Sequence, residues 1–259
     1  MRRCPTLLFG IVLALGSTPA PVARSSTPIL VELFTSEGCS SCPPADSLLQ
    51  HLIETPPVAG AEIIGLGEHV DYWDHQGWRD RFSSADYTER QERYSSKLKV
   101  QSIYTPQMIV NGRSEFVGSD IKAARLAIDR AVGLPHGVVA IAIEPPATNR
   151  VATVTVKAIE LPALSRGDRA EIVVAVIEDG LRSNVRAGEN RGRTLTHAAV
   201  VRRLSTIGEA KGDGASVRSD VTIEPEWRLE NLKVVAFVQE RATRHVIAAA
   251  VVPLQSARR

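Results

Sequence analysis

Cys39-Ser40-Ser41-Cys42 follows closely on an apolar, branch-rich run, Pro28 to Phe34 (PILVELF), and is itself followed by Pro43-Pro44. A run of that kind reads as a buried parallel strand. Two consecutive prolines, lacking N–H donors, are tolerated only in the opening turn of a helix. The cysteine pair therefore belongs at a strand-to-helix junction. Leu48, Leu49, Leu52 and Ile53 continue at helical spacing through Pro43 to Glu54, and Ala61 to Leu66 (AEIIGL) reads as a second buried strand. Strand, helix and strand in this order make a right-handed crossover whose two strands are parallel neighbours.

The segment Ser84 to Lys99 is polar and helix-compatible. Tyr104-Thr105-Pro106 then leads into Gln107 to Val110, an Asn111-Gly112 turn, and Arg113 to Val117. Asn-Gly between two short apolar runs is a strong hairpin signal. Lys122 to Val132, with Leu126, Ile128 and Val132, closes this half as a helix.

Beyond Pro135 the pattern changes to strands alone: Val138 to Ile143, Val151 to Ile159, Glu171 to Ile177, Leu195 to Leu204, Val217 to Ile223, Leu232 to Val238 and Val246 to Val252. Short strands at this spacing, separated by polar, Gly- or Pro-containing turns, predict a β-sandwich. The chain thus reads as two folding units, an α/β domain over 27–134 and an all-β, sandwich-like domain over 136–254, with a boundary near Gly133 to Gly137. The most polar loop of the second unit, Gly188 to Arg193, is read as solvated, and His197 as a surface histidine. The alternative is that this loop meets a partner or docks on the first unit.

The first residues set the compartment. Arg2 and Arg3, the apolar run Thr6 to Gly16 and the small residues Ser17, Thr18, Ala20 and Ala23 read as a secretory signal over 1–23. The apolar run is shorter than the about 20 residues a membrane span needs. Cys4 leaves with the signal, so Cys39 and Cys42 are the only cysteines expected in an exported, periplasmic or secreted chain with no membrane span. The whole sequence carries 31 Lys and Arg against 29 Asp and Glu, and losing Arg2 and Arg3 balances them. No basic run exceeds two residues, which gives no electrostatic footprint for nucleic acid.

The order strand, CxxC, helix, strand, helix, Thr-Pro, hairpin, helix resembles the thioredoxin fold over Thr27 to Gly133. The fuller string VELFTSEGCSSCPPAD, with HVDYWD and YTPQMIVNG further on, is similar to a family of secreted thioredoxin-like proteins catalogued as domain of unknown function 1223. That second resemblance implies a fold and a compartment but no activity. The thioredoxin pattern implies that Thr105-Pro106 is a cis peptide lying against the cysteines, with the backbone there holding an extended substrate.

A cysteine at a helix N-terminus is biased towards thiolate by unpaired N–H groups and the helix dipole. Cys39 is accordingly the expected nucleophile, and Cys42, one turn further in, the resolving thiol. The chain departs from the thioredoxin pattern at Gly38, where thioredoxin carries tryptophan. Ser40-Ser41 supplies no cation, and Glu37 and Asp46 oppose a negative sulfur. Weaker thiolate stabilisation leans towards a reductase or isomerase over a strong oxidase. The stretch from Cys42 to Pro106 is longer than usual for thioredoxin, implying an insertion over 68–99.

That insertion opens with Glu68 to Trp78 (EHVDYWDHQGW). It should emerge at the same carboxyl edge of the sheet as the cysteines, where open α/β folds bind ligands. His69, Asp71, Trp73 and His75 are therefore candidates for a second wall of the site. His69, Asp71, Asp74 and His75 are ligand types for a metal, but their spacing matches no defined motif. The aromatic residues are read as plugs, the charged ones as solvated, and no metal site is assigned.

The main expectation is a thiol-disulfide oxidoreductase whose only cofactor is its own Cys39–Cys42 disulfide, acting on protein thiols or disulfides or a redox partner protein. One alternative is a copper carrier or assembly factor using the same thiols, with His69 or His75. Another is a binding module in which the disulfide is structural.

Overall fold

The computed structural model describes residues 26–146, 150–210 and 214–255; the expected signal peptide lies outside the described residues. Strand β1 (Thr27–Thr35) leads to helix α1 (Pro43–Glu54), and β2 (Ala61–His69) returns parallel to β1. Helix α2 (Ala85–Leu98), the hairpin strands β3 (Gln107–Val110) and β4 (Ser114–Val117), and helix α3 (Ile121–Val132) follow. The Ser84 and Asp120 side chains cap α2 and α3 by accepting from first-turn N–H groups.

The remaining strands are β5 (Val138–Glu144), β6 (Val151–Ile159), β7 (Ala170–Glu178), β8 (Leu181–Asn184), β9 (Thr194–His197), β10 (Val200–Ala210), β11 (Gly214–Thr222), β12 (Leu232–Glu240) and β13 (Val246–Pro253). Leu195 to Leu204, expected as one strand, is two. The chain turns at Ala198-Ala199, where Ala199 has φ 52 and its N–H donates to Asp179 Oδ1. β8 has no counterpart among the expected strands, because Leu-Arg-Ser-Asn carries a single large apolar residue.

The large sheet runs β13-β12-β7-β10-β2-β1-β3-β4, and a smaller antiparallel sheet runs β11-β6-β5. The boundary expected near Gly133 to Gly137 falls between α3 and β5, and the large sheet runs across it. The join is at Gly67, which pairs with Val200 and whose own N–H donates to the Ala199 carbonyl at 2.7 Å. A Cβ on Gly67 would stand 3.0 Å from the Ala198 carbonyl oxygen, so glycine is what lets the β9–β10 corner come so close. The apolar run Ala61 to Leu66 that marks β2 in the sequence stops just short of this join.

Apolar packing follows the same plan. α1 and α3 cover one face of β1 and β3 through Leu49, Leu52, Ala124 and Ile128. On the opposite face, Leu30, Ile64 and Leu66 share a core with Val173, Ile177, Val235 and Phe237 from the later strands. The small sheet stacks on β7 and β12, joining Val154 and Val156 to Ile172, Val174, Val234 and Ala236. The alternation of inward and outward residues along β6 is what a two-layer packing requires.

A buried polar cluster also bridges the halves. Arg90 on α2 lies 2.6 Å from the Glu32 carboxylate of β1 and donates to Gln239 of β12 at 3.2 Å. Tyr94 donates to Glu32 and accepts from Gln239. Burial pushes the neighbouring Glu68 carboxyl well above its usual range, against the pull of Arg90.

Candidate functional site

β1 ends at Thr35, and the next residues fold into tight turns. Gly38 N–H donates to Ser36 Oγ, Cys39 N–H to the Ser36 carbonyl, and Cys42 N–H to the Cys39 carbonyl. Cys42 is the N-cap of α1, its carbonyl accepting from Ala45 and Asp46, with prolines filling the positions whose N–H groups would otherwise be orphaned. Cys39 and Cys42 form a disulfide with Cα atoms 5.4 Å apart. Cys39 Sγ lies 3.3 Å from Ser41 Oγ. Both cysteines have no exposed surface, whereas Ser40 and Ser41 are exposed.

The insertion supplies one wall. Trp73 packs against Gly38 so closely that a Cβ on the glycine would lie 3.2 Å from Trp73 Cβ. Its indole Nε1–H donates to Thr105 Oγ1 at 2.7 Å, tying the cysteine turn to the Thr105-Pro106 peptide, which is cis. Trp78 donates to Glu37 Oε2 at 2.7 Å. Asp71 is held by Thr88 at 2.6 Å, Asp74 accepts from Asp80 N–H and Ser83, and His75 is exposed. The bridging roles of Trp73 and Trp78 go beyond plugging.

The other wall comes from the polar loop at 185–193, which is not solvated throughout. Asn190 is fully buried, and its Nδ2 donates at 2.9 Å to both the Glu37 and Cys39 carbonyls. Arg193 Nη1 donates to Asn190 Oδ1 at 2.8 Å and so orients the carboxamide. Ser40 N–H donates to Glu189 Oε2 at 2.9 Å. Gly188, at φ 71, packs against Gly77 and Trp78.

Behind the disulfide lies a group of ionisable side chains that sequence reasoning left scattered. His197, expected on the surface, is 4% exposed. Its Nδ1 is 3.3 Å from Asp46 Oδ1, and its Nε2 is 3.4 Å from Glu37 Oε1. Burial works against the imidazolium, but Asp46 and Glu37 outweigh it and push His197 up to about 9. Burial likewise opposes ionisation of Glu37, yet His197 and Trp78 hold its carboxyl below the usual range. His69 Nδ1 donates to Asp80 Oδ2 at 2.6 Å, and Asp80 also accepts from the Glu37 and Phe82 N–H groups. The His69 and His197 rings meet edge to face at 4.9 Å.

Of the expected wall residues, His69 and Trp73 enter this assembly directly. Glu189 and Asn190 belong to the loop whose alternative reading was docking on the first unit, whereas Asp80 and His197 were not expected as members. No motif marks them; the signal present in the sequence was polar residues flanking short strands, which is common to solvated loops.

Fold and site together define a mixed α/β chain, with a large mixed sheet and a smaller antiparallel one, that carries a buried CxxC disulfide at a helix N-terminus. The chain belongs to the family described as "Protein of unknown function (DUF1223)", whose pattern matches residues 30–239. It is similar to protein AGR_C_4864 from Agrobacterium tumefaciens, with 26% identity, 91% of this chain and 98% of that chain covered, and a TM-score of 0.67. It is also similar in fold to HBP35 of Porphyromonas gingivalis, with 16% identity, 88% and 75% coverage respectively, and a TM-score of 0.66. No curated protein matches the sequence. Among the described residues no helix is long and apolar enough to cross a membrane.

Proposed function

We propose that the protein is an exported thiol-disulfide oxidoreductase of thioredoxin type, working through Cys39 and Cys42. The observation that carries this reading is the Cys39–Cys42 disulfide at the N-terminus of α1. The positive end of the helix dipole at that position favours a thiolate. The element order β1-α1-β2-α2-β3-β4-α3 and the Trp73 bridge between Gly38 and Thr105 are in keeping with it.

In the reducing direction, the Cys39 thiolate attacks a substrate disulfide, forming a mixed disulfide and releasing one substrate thiolate. The Cys42 thiolate then attacks the Cys39 sulfur, the mixed bond breaks, and the second substrate thiolate leaves. The substrate is reduced, Cys39–Cys42 is oxidised, and a dithiol partner protein must return the two electrons. Cys42→Ser should accumulate mixed disulfides through Cys39, and Cys39→Ser should abolish reduction of model disulfides. If Cys42→Ser captures no thiol protein, and wild-type protein neither reduces nor oxidises a model disulfide, the reading fails.

A second reading is favoured by the burial of both cysteines: a binding module in which the disulfide staples the α1 turn. A reduction potential well below about −300 mV would support it.

A further inference from the structure

We propose that Asp46, His69 and His197 form a binding site for a divalent transition-metal ion of the zinc type, behind the disulfide and independent of the thiols. The three side chains come from α1, β2 and β9, and all are buried. One ligand-type atom of each lies within 4.8 Å of the others. Around zinc, with bonds of about 2.0–2.1 Å in a tetrahedron, such atoms stand about 3.4 Å apart, a separation that small side-chain shifts would reach.

Unmet bonding points the same way. His69 Nδ1 is held by Asp80 Oδ2 at 2.6 Å, and its Nε2 is buried without a hydrogen-bond partner. A carboxylate fixing one nitrogen of a histidine while the other stays free is the arrangement found behind metal-ligating imidazoles. His197 Nε2 and Glu37 Oε1 face each other at 3.4 Å without a hydrogen bond between them. Buried polar atoms are ordinarily matched, and a divalent cation taking the place of the His197 proton would match them together with His69 Nε2. Glu37 would then be available as a fourth ligand. Two imidazoles with carboxylates suit zinc and its divalent neighbours, whereas the soft thiolates that select Cu(I) are outside this group. A cleft of about 420 Å³, lined by Gln50 and Ile53 of α1 and by Leu181 and Thr196 of the β8–β9 ribbon, reaches His197 and offers an entry path.

The test uses the mature, disulfide-oxidised protein, stripped with chelator and titrated with Zn(II), with Co(II) as a spectroscopic probe. One equivalent should bind, Co(II) should show the absorption of a four- or five-coordinate ion, and zinc should raise the thermal unfolding midpoint. Binding should survive in Cys39→Ser/Cys42→Ser and disappear in His69→Gln and Asp46→Asn. Asp80→Asn, which spares the ligands, should weaken it by roughly 10- to 100-fold. Absence of a zinc-dependent shift in wild-type protein overturns the proposal without recourse to any variant. So does binding that persists in folded Asp46→Asn, or that is lost with the cysteines.

Discussion

Asn190 donates from its carboxamide nitrogen to the carbonyl oxygen of Cys39 at 2.9 Å, across 151 residues of chain. A side chain from the strand-rich half thus holds the backbone of the first cysteine, while its neighbour Glu189 accepts from Ser40. The cysteine turn is enclosed by a loop that belongs to another part of the sequence.

Replacing Asn190 with alanine should unseat that enclosure. It leaves the buried Glu37 carbonyl without its donor, at a cost of about 1–3 kcal/mol, and the Cys39 carbonyl with the Cys42 N–H alone. The expected outcome is a lower denaturation midpoint together with faster reduction of Cys39–Cys42 by a small dithiol. An unchanged reduction rate in a folded variant would mean that the loop does not control access.

Trp73→Phe keeps the Cβ contact with Gly38 but removes the donor to Thr105. A loss of about 0.5–1.5 kcal/mol is expected from one hydrogen bond, measured by denaturant unfolding. On the redox reading, model-disulfide turnover should fall as well, because Thr105 and the cysteine turn lose their tie.

Arg90→Met should be among the most damaging single changes in the chain. It strands the Glu32 carboxylate, which the arginine meets at 2.6 Å with no exposed surface. Breaking a buried pair by removing one partner costs about 3–5 kcal/mol. Glu32→Gln combined with Arg90→Met should recover part of the loss, a coupling that a double-mutant cycle reads directly.

Asp168 gives the pH dependence. Burial disfavours its charge, but the N–H groups of Ala242, Arg169 and Thr243 together outweigh it and hold its carboxyl below the ordinary range. A depressed folded-state value means that stability is present above the unfolded value, about 3.9, and is lost as pH falls through the folded value. The stability difference between wild type and Asp168→Asn should therefore be full at neutral pH and shrink below about pH 4. Chemical denaturation at several pH values checks this, and a difference that grows on acidification would contradict it.

The α/β part of the fold is legible because its signals are local. Leu48, Leu49 and Leu52 mark α1, Asn111-Gly112 marks the β3–β4 turn, and Pro43-Pro44 fixes where the helix begins. The joining of the sheet is not, since it depends on Gly67 lacking a Cβ opposite the Ala198 carbonyl, a contact between segments far apart in sequence. The site divides in the same way. Cys39 and Cys42 declare themselves by spacing. His197 and Asn190 look like ordinary polar residues until β9 and the loop before it pack beside α1.

The most direct measurement for the redox account is the equilibrium potential of Cys39–Cys42 in the wild-type protein, titrated against a glutathione or dithiol buffer. The account predicts a two-electron couple within the exchange range of thioredoxin-type proteins, about −270 to −120 mV. A value well below about −300 mV would contradict it and leave the disulfide a structural staple.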